Sequence, residues 1–295
     1  MPGTEAVDPR YAEIDDWPTV DAVTAMIEGQ REAIEALNSQ AGAIATACEA
    51  AAQRLLSSQG RLIYVGAGTS GRVAVQDGVE LTPTFGWPQE RLLYLLAGGL
   101  PALVESAEGA EDDVVDAARQ IAEHAVDATD VVVAVAASGH TPFTLRAIED
   151  ARVRGALTIA IANNASTPVL QAAQHAIFLG TGSEIISGST RMKAGTAQKA
   201  AINIISTTIM LRLGKVYRGQ MVDMVVSNAK LQRRAAGIVQ MLTKCSEDDA
   251  VDALERGENS ISRAVLIAMG NSPNESAKLL KDHGGILAKA IAALG

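Results

Sequence analysis

The chain has 295 residues, enough for one large domain or for a domain with a small appendage, and 48% of them are hydrophobic while only 3% are aromatic. Ala, Val, Ile and Leu must therefore fill its core, as they do where Ala-rich helices pack closely on a Val/Ile sheet. A formal net charge of -9, a pI of about 5.0 and the lack of any long basic run exclude affinity built on phosphate-backbone neutralisation, so no nucleic-acid partner is expected.

The N-terminal stretch MPGTEAVDPRYAEIDDW is acidic and has no apolar centre, so it does not read as a secretory signal. No uninterrupted apolar run reaches membrane-spanning length, and a cytoplasmic protein without a membrane partner is expected. Irregular chain gives way to helical apolar spacing over residues 19–40 and 43–60, with Gly60 read as the glycine that closes the second helix. Five short apolar runs follow, at 61–66, 91–99, 130–138, 157–164 and 175–182. Each is bounded by Gly, Asp or Asn and is apolar throughout rather than alternating, the pattern of strands buried on both faces. Helical stretches at 71–79, 111–126, 141–154 and 166–173 separate them. This alternation predicts a doubly wound α/β fold with a parallel five-stranded sheet, whose ligands lie outside the carboxyl ends of the strands.

From Thr190 onward the sequence reads as nearly all helix, with a long one ending at Gly214. Ser246 is placed to cap one later helix, and Ser272, with Pro273 and Glu275 behind it, to cap another. The expected organisation is an N-terminal helical region (1–60), an α/β domain (61–240) and a C-terminal helical subdomain (241–295). Cys48 and Cys245 are far apart, and His124, His140, His175 and His283 show no ligand spacing, so neither a disulfide, a metal nor another cofactor is expected. His124 and His175 read as structural, one near a helix end and the other opening a strand.

Gly66-Ala67-Gly68-Thr69-Ser70-Gly71 is a literal G-x-G-x-x-G after a predicted strand. A dinucleotide site also needs an acidic residue at the end of the next strand, which here ends LLYLLAGG; Glu90 lies at the wrong end. Thr69 and Ser70 instead put hydroxyls in the two variable positions, which suits phosphate. A second hydroxyl loop, AASGHTP, carries Ser138, Gly139, His140 and Thr141. A third, GTGSEIISGSTRMKAGT, carries Ser183, Glu184, Ser187, Arg191 and Lys193. Each loop alone could be an ordinary turn and helix cap. Gathered on one rim, they make a basin of hydroxyls and helix N-termini fitted to a monophosphate on a polar body such as a sugar. Arg191 and Lys193 could neutralise the phosphate or a carboxylate on the ligand.

The motifs GAGTSGR, DGVELTPTFG, ESAEGAEDD, AASGHTPF and GSEIISGSTRMKAGTAQK resemble the N-acetylmuramic acid 6-phosphate etherases, within the sugar isomerase (SIS) domain superfamily. The similarity runs from about Arg61 to Gln232 and more loosely to His283–Gly285. It implies a SIS-type fold and cleavage of the D-lactyl ether of a phosphorylated amino sugar, giving N-acetylglucosamine 6-phosphate and D-lactate. It also implies a homodimer with sites near the subunit interface, and a role in recycling cell-wall sugars. The family's two catalytic glutamates match Glu80, as proton donor to the departing lactate, and Glu111, as base at C2. Spacing alone does not choose among Glu108, Glu111, Asp112 and Asp113; the resemblance picks Glu111. Gly68, Thr69, Ser70, Ser138, Gly139, His140, Thr141, Ser183, Glu184, Ser187, Arg191, Lys193 and His283 are the candidate ligand contacts, with Ser138 and Thr141 foremost for phosphate. His283 is the candidate to reach a neighbouring subunit's site. Two positions depart from the family pattern: His140 stands where Arg is usual, and ELTP replaces ECPP beside Glu80. The glucokinase regulatory protein resembles the same group, so a phosphosugar-binding regulator without turnover and a phosphosugar isomerase stand as alternatives.

Overall fold

The computed structural model describes residues 3–105 and 107–294. In chain order the helices and strands are α1 (Thr19–Glu35), α2 (Ala41–Leu56), β1 (Leu62–Gly66), α3 (Gly68–Val79), α4 (Leu81–Phe85), β2 (Leu92–Leu96), α5 (Val114–Glu123), β3 (Val131–Ala136), α6 (Pro142–Val153), β4 (Leu157–Ala162), α7 (Pro168–Ala172), β5 (His175–Phe178) and α8 (Lys193–Arg212). A two-strand ribbon, β6 (Val216–Tyr217) and β7 (Gln220–Met221), precedes α9 (Ala229–Thr243), α10 (Glu247–Arg256), α11 (Ile261–Ala268), α12 (Pro273–Asp282) and α13 (Leu287–Ala292). Short 3-10 turns join several of these.

Two compact units divide the chain. One holds residues up to Gly78 together with Glu90–Thr208; the other holds Val79–Gln89 together with the chain from Ile209 onward.

In the first unit the five strands are parallel in the order β2-β1-β3-β4-β5, the doubly wound sheet expected from the apolar runs. The chain turns one way from β1 to β2 and the other way to β3, which makes the β1/β3 boundary the switch point where such sheets open a crevice. Strand side chains alternate between faces. Ile63, Val65, Leu95, Val132 and Ala134 meet Ile121, Phe143, Ile148 and Val169 from α5, α6 and α7. On the opposite face α2 packs across β3, β4 and β5, and the buried Cys48 thiol lies 3.7 Å from the Ile205 carbonyl of α8. Fully buried β-branched and alanine side chains do this with almost no aromatic help, as composition required.

Three local readings are corrected. The second helix ends at Leu56, four residues before Gly60. A Cβ at Gly60 would stand 1.8 Å from the Thr129 carbonyl oxygen, so glycine is needed there for close backbone approach rather than as a helix cap. The helix expected from residue 111 starts at Val114, because the Asp113 carboxylate caps it by accepting the Asp116 N–H. The chain after Gly214 is not immediately helical: a ribbon and an irregular stretch intervene until Asn228 caps α9 through the Leu231 N–H.

The second unit has its own apolar centre, built from Val222, Val239, Leu254, Val265, Leu266 and Leu287. Ser246 caps α10 as expected, and Ser272 with Glu275 forms a full capping box on α12. No helix among the described residues is long and apolar enough to cross a membrane.

Candidate active site

The loops after β1, β2 and β3 meet at the carboxyl rim of the sheet. Glycine makes the first of them possible. A Cβ on Gly66 would crowd the Gly71 nitrogen at 2.9 Å, and one on Gly71 would meet the Gly66 oxygen at 3.0 Å, while Gly68 takes a positive φ of 51°. The loop thus turns tightly from strand into α3, and its Gly66 carbonyl accepts the Ala97 N–H at the end of β2. After β3, Gly139 has φ 70° and lies so close to Thr167 that a Cβ would stand 2.2 Å from its hydroxyl.

The predicted hydroxyls divide into two groups. The Thr69 side chain is half-buried, Thr141 caps α6 without a side-chain bond, and neither hydroxyl has a partner among the described residues. Ser138 Oγ accepts only the His140 N–H, at 3.2 Å. The His140 Nδ1 sits 2.8 Å from the Ser138 carbonyl, a geometry in which Nδ1 donates, and the ring is exposed. These groups are available to a ligand.

The others already hold protein partners. Ser70 is buried and donates to Gln198 Oε1 at 2.9 Å. Gln198 in turn donates to Asn163 Oδ1 at 2.8 Å, and Asn163 to the Leu179 carbonyl at 3.1 Å. This buried chain ties the ends of β1, β4 and β5 to α8. Ser183 reaches Asp8 and Ser187 reaches the Glu5 carbonyl, each at 3.3 Å. Glu184 is 1% exposed, and its carboxylate accepts the Lys193 and Ala194 N–H groups, both at 2.9 Å. It therefore fills the N-terminus of α8 that a phosphate would otherwise use. Burial raises the Glu184 pKa, against the lowering effect of those two N–H groups and of Lys193. The Lys193 ammonium is itself buried and pairs with Glu32 of α1 at 2.6 Å. Arg191 alone of the two expected cations is exposed.

Glu111 lies in a 3-10 turn, Ala110–Asp112, and is exposed. The turn packs against α6, and Ala110 sits against the main core cluster, so the carboxylate stands on a surface anchored beside the AASGHTP loop. Of the acidic cluster, Asp113 is committed to helix capping. Glu80 and His283 belong to the second unit. Glu80 follows the last turn of α3, precedes α4 and is exposed, and its carbonyl accepts the Thr84 N–H. His283 is the C-cap of α12.

A cavity of about 920 Å³ opens in the first unit between the loops after β3, β4 and β5. Ser138 and His140 line it, joined by Asn163, Asn164, Thr167 and Glu5. The sequence reading did not single out these last four. The N-terminal segment reaches the cavity because Thr4 is fully buried, giving its N–H to Asn164 Oδ1 at 3.1 Å and accepting the Asn164 amide at 2.9 Å. Only the dipeptide Asn163-Asn164 ending an apolar run signalled this in the sequence. Among the described residues no group of three or more His, Cys, Asp or Glu side chains is gathered as a metal site would require.

Family models match along most of the chain: the glucokinase regulatory protein N-terminal SIS domain over residues 43–151, the SIS domain over 98–207, and the C-terminal lid domain of glucokinase regulatory protein over 218–283. An N-acetylmuramic acid 6-phosphate etherase of Deinococcus radiodurans is 45% identical over 283 residues, covering 96% of this chain and 92% of the relative. N-acetylmuramic acid 6-phosphate etherase 1 of Enterococcus faecalis is 39% identical over 290 residues, with 98% and 96% covered. Among solved structures, a phosphoheptose isomerase from Francisella tularensis superposes with a TM-score of 0.51 at 20% identity, covering 66% of this chain and all of the other, which marks the shared fold.

Proposed function

This chain belongs to the N-acetylmuramic acid 6-phosphate etherase family, and from that membership we propose that it cleaves the D-lactyl ether of N-acetylmuramic acid 6-phosphate to N-acetylglucosamine 6-phosphate and D-lactate. The observation that carries the reading is near full-length identity of 39–45% to etherases.

An alkyl ether resists direct hydrolysis. In the open-chain sugar it sits at C3, β to the C1 aldehyde. Removal of the C2 proton gives an enolate that expels the C3 oxygen; water then adds back at C3. The chemistry needs a base at C2, an acid at the leaving oxygen and donors at the C1 oxyanion. Glu111 serves as the base. Glu80 protonates the departing lactate and activates the incoming water. Ser138 and Thr141 take the phosphate at the start of α6, with Thr69 and Arg191 in support; the uncommitted hydroxyls favour these over Ser70, Ser183 and Ser187. His140, where relatives usually carry Arg, contributes a ring rather than a fixed positive charge. The protein works in the cytoplasm as a homodimer, and His283 is the residue offered to the neighbouring subunit's site.

Incubation with N-acetylmuramic acid 6-phosphate is expected to release D-lactate in amounts equal to N-acetylglucosamine 6-phosphate, with no turnover of fructose 6-phosphate or glucosamine 6-phosphate. Tight binding of the muramic substrate without lactate would leave the regulator reading in its place.

A further inference from the structure

The arginine of GAGTSGR has no part in the chemistry above, yet its side chain crosses to another loop. Arg72 Nε donates to the Ala102 carbonyl at 3.0 Å, and Nη2 donates to the Glu105 carbonyl at 3.3 Å. These carbonyls belong to the segment that runs from the end of β2 to the Glu111 turn. We propose that Arg72 is the positioning residue of Glu111: its guanidinium fork fixes the chain at Ala102 and Glu105 to α3, and thereby sets the base against the phosphosugar loops. The proposal rests on the etherase reading for the role of Glu111.

The rest of the segment's hold is local bonding and apolar packing. Leu100 and Val104 are 63% and 86% exposed, so burial contributes little at that stretch. Its backbone bonds are local, as from Ala102 to Gly99, Glu105 to Pro101 and Asp112 to Gly109. Among the described residues, the two bonds from Arg72 are the hydrogen bonds that reach residues 98–112 from a distant part of the chain. Packing adds to this where Gly98, at its φ of 78°, lies close to Ala107, Ala102 and Ala110, where Ala102 and Leu103 are half-buried in the notch beside Arg72, and where Ala110 meets the core. Arg72 shares a narrow notch with Gly66, Gly68, Gly71, Leu96, Ala97 and Ala102, so its anchor is the phosphosugar loop itself. A lysine keeps three donors but gathers them on one nitrogen, so it lacks the fork by which Nε and Nη2 each reach a different carbonyl.

The test uses the full chain with Arg72→Ala and Arg72→Lys. Both are expected to lower kcat for lactate release on the order of 10²-fold while KM stays within about threefold, the signature of a misplaced catalytic group. Added guanidinium should restore part of kcat in Arg72→Ala, and none in Glu111→Gln. Amide hydrogen exchange over 98–112 should quicken at least tenfold in both variants, with β1 and β3 unchanged. If one variant fails to fold, the other carries the same readouts. A raised KM with kcat retained would make Arg72 a substrate contact and overturn the proposal, as would unaltered exchange over 98–112. Should the wild-type chain release no lactate, the etherase reading falls by that control alone, and the exchange measurement still decides whether Arg72 holds the turn.

Discussion

Replacing Glu111 by Gln is expected to stop exchange of the substrate's C2 proton with solvent and to cut lactate release on the order of 10³-fold, a barrier rise of about 4 kcal/mol. Gln keeps the size and the hydrogen-bonding reach of the side chain but cannot take a proton. The exposed 3-10 turn that carries Glu111 leaves room for the swap, so folding should be untouched. Replacing Glu80 by Gln should depress lactate release to a similar degree and leave C2 exchange within a few-fold of wild type, because proton removal precedes departure of the lactyl oxygen. Deuterium uptake at C2, followed by nuclear magnetic resonance, separates the two. Exchange lost in Glu80→Gln and kept in Glu111→Gln would reverse the roles.

The largest effect on stability is expected at Asp130. Its carboxylate is 1% exposed and accepts the Arg61 backbone N–H at 2.8 Å, the Arg61 guanidinium at 2.6 and 3.1 Å, and the Asp127 N–H at 3.1 Å. This knot joins the residue before β1 to the residue before β3, at the centre of the sheet. Asp130→Ala removes the charge partner of a three-quarters-buried guanidinium and orphans two backbone donors. The cost is about 3–5 kcal/mol, and the thermal midpoint should fall on the order of 10 °C. A midpoint within two degrees of wild type would show that the knot contributes little.

The sheet was legible in the sequence because its strands are buried on both faces. Runs such as DVVVAVAAS and LTIAIANN have no polar alternation to mislead, and the helices between them forced parallel pairing. Features that depend on distant partners were not. Gly60 reads like a cap until Thr129 is seen beside it. Lys193 reads like a surface cation, but Glu32, 161 residues away, draws it inside. The AGTAQK stretch shows no sign that Gln198 bridges Ser70 and Asn163. A linear reading also cannot join Val79–Gln89 to the chain beyond Ile209. At the site, residue types and family motifs supplied the candidates, and the contacts sorted them. Thr69, Ser138 and Thr141 keep hydroxyls to offer, whereas Glu184 and Lys193 are engaged in building the third loop. The acidic cluster was ambiguous for a physical reason: a helix first turn and a catalytic carboxylate both favour acidic residues, and only the capping bond to Asp116 distinguishes Asp113.

The most direct test of the account is lactate release from N-acetylmuramic acid 6-phosphate in heavy-oxygen water, with mass analysis of both products. Elimination followed by water addition predicts a heavy oxygen at the C3 hydroxyl of the amino sugar, counted apart from the anomeric oxygen that exchanges with water through the aldehyde, and none gained by the lactate in the cleavage step. Heavy oxygen in the lactate hydroxyl instead, or no release from a chain that still binds the sugar phosphate, would contradict it.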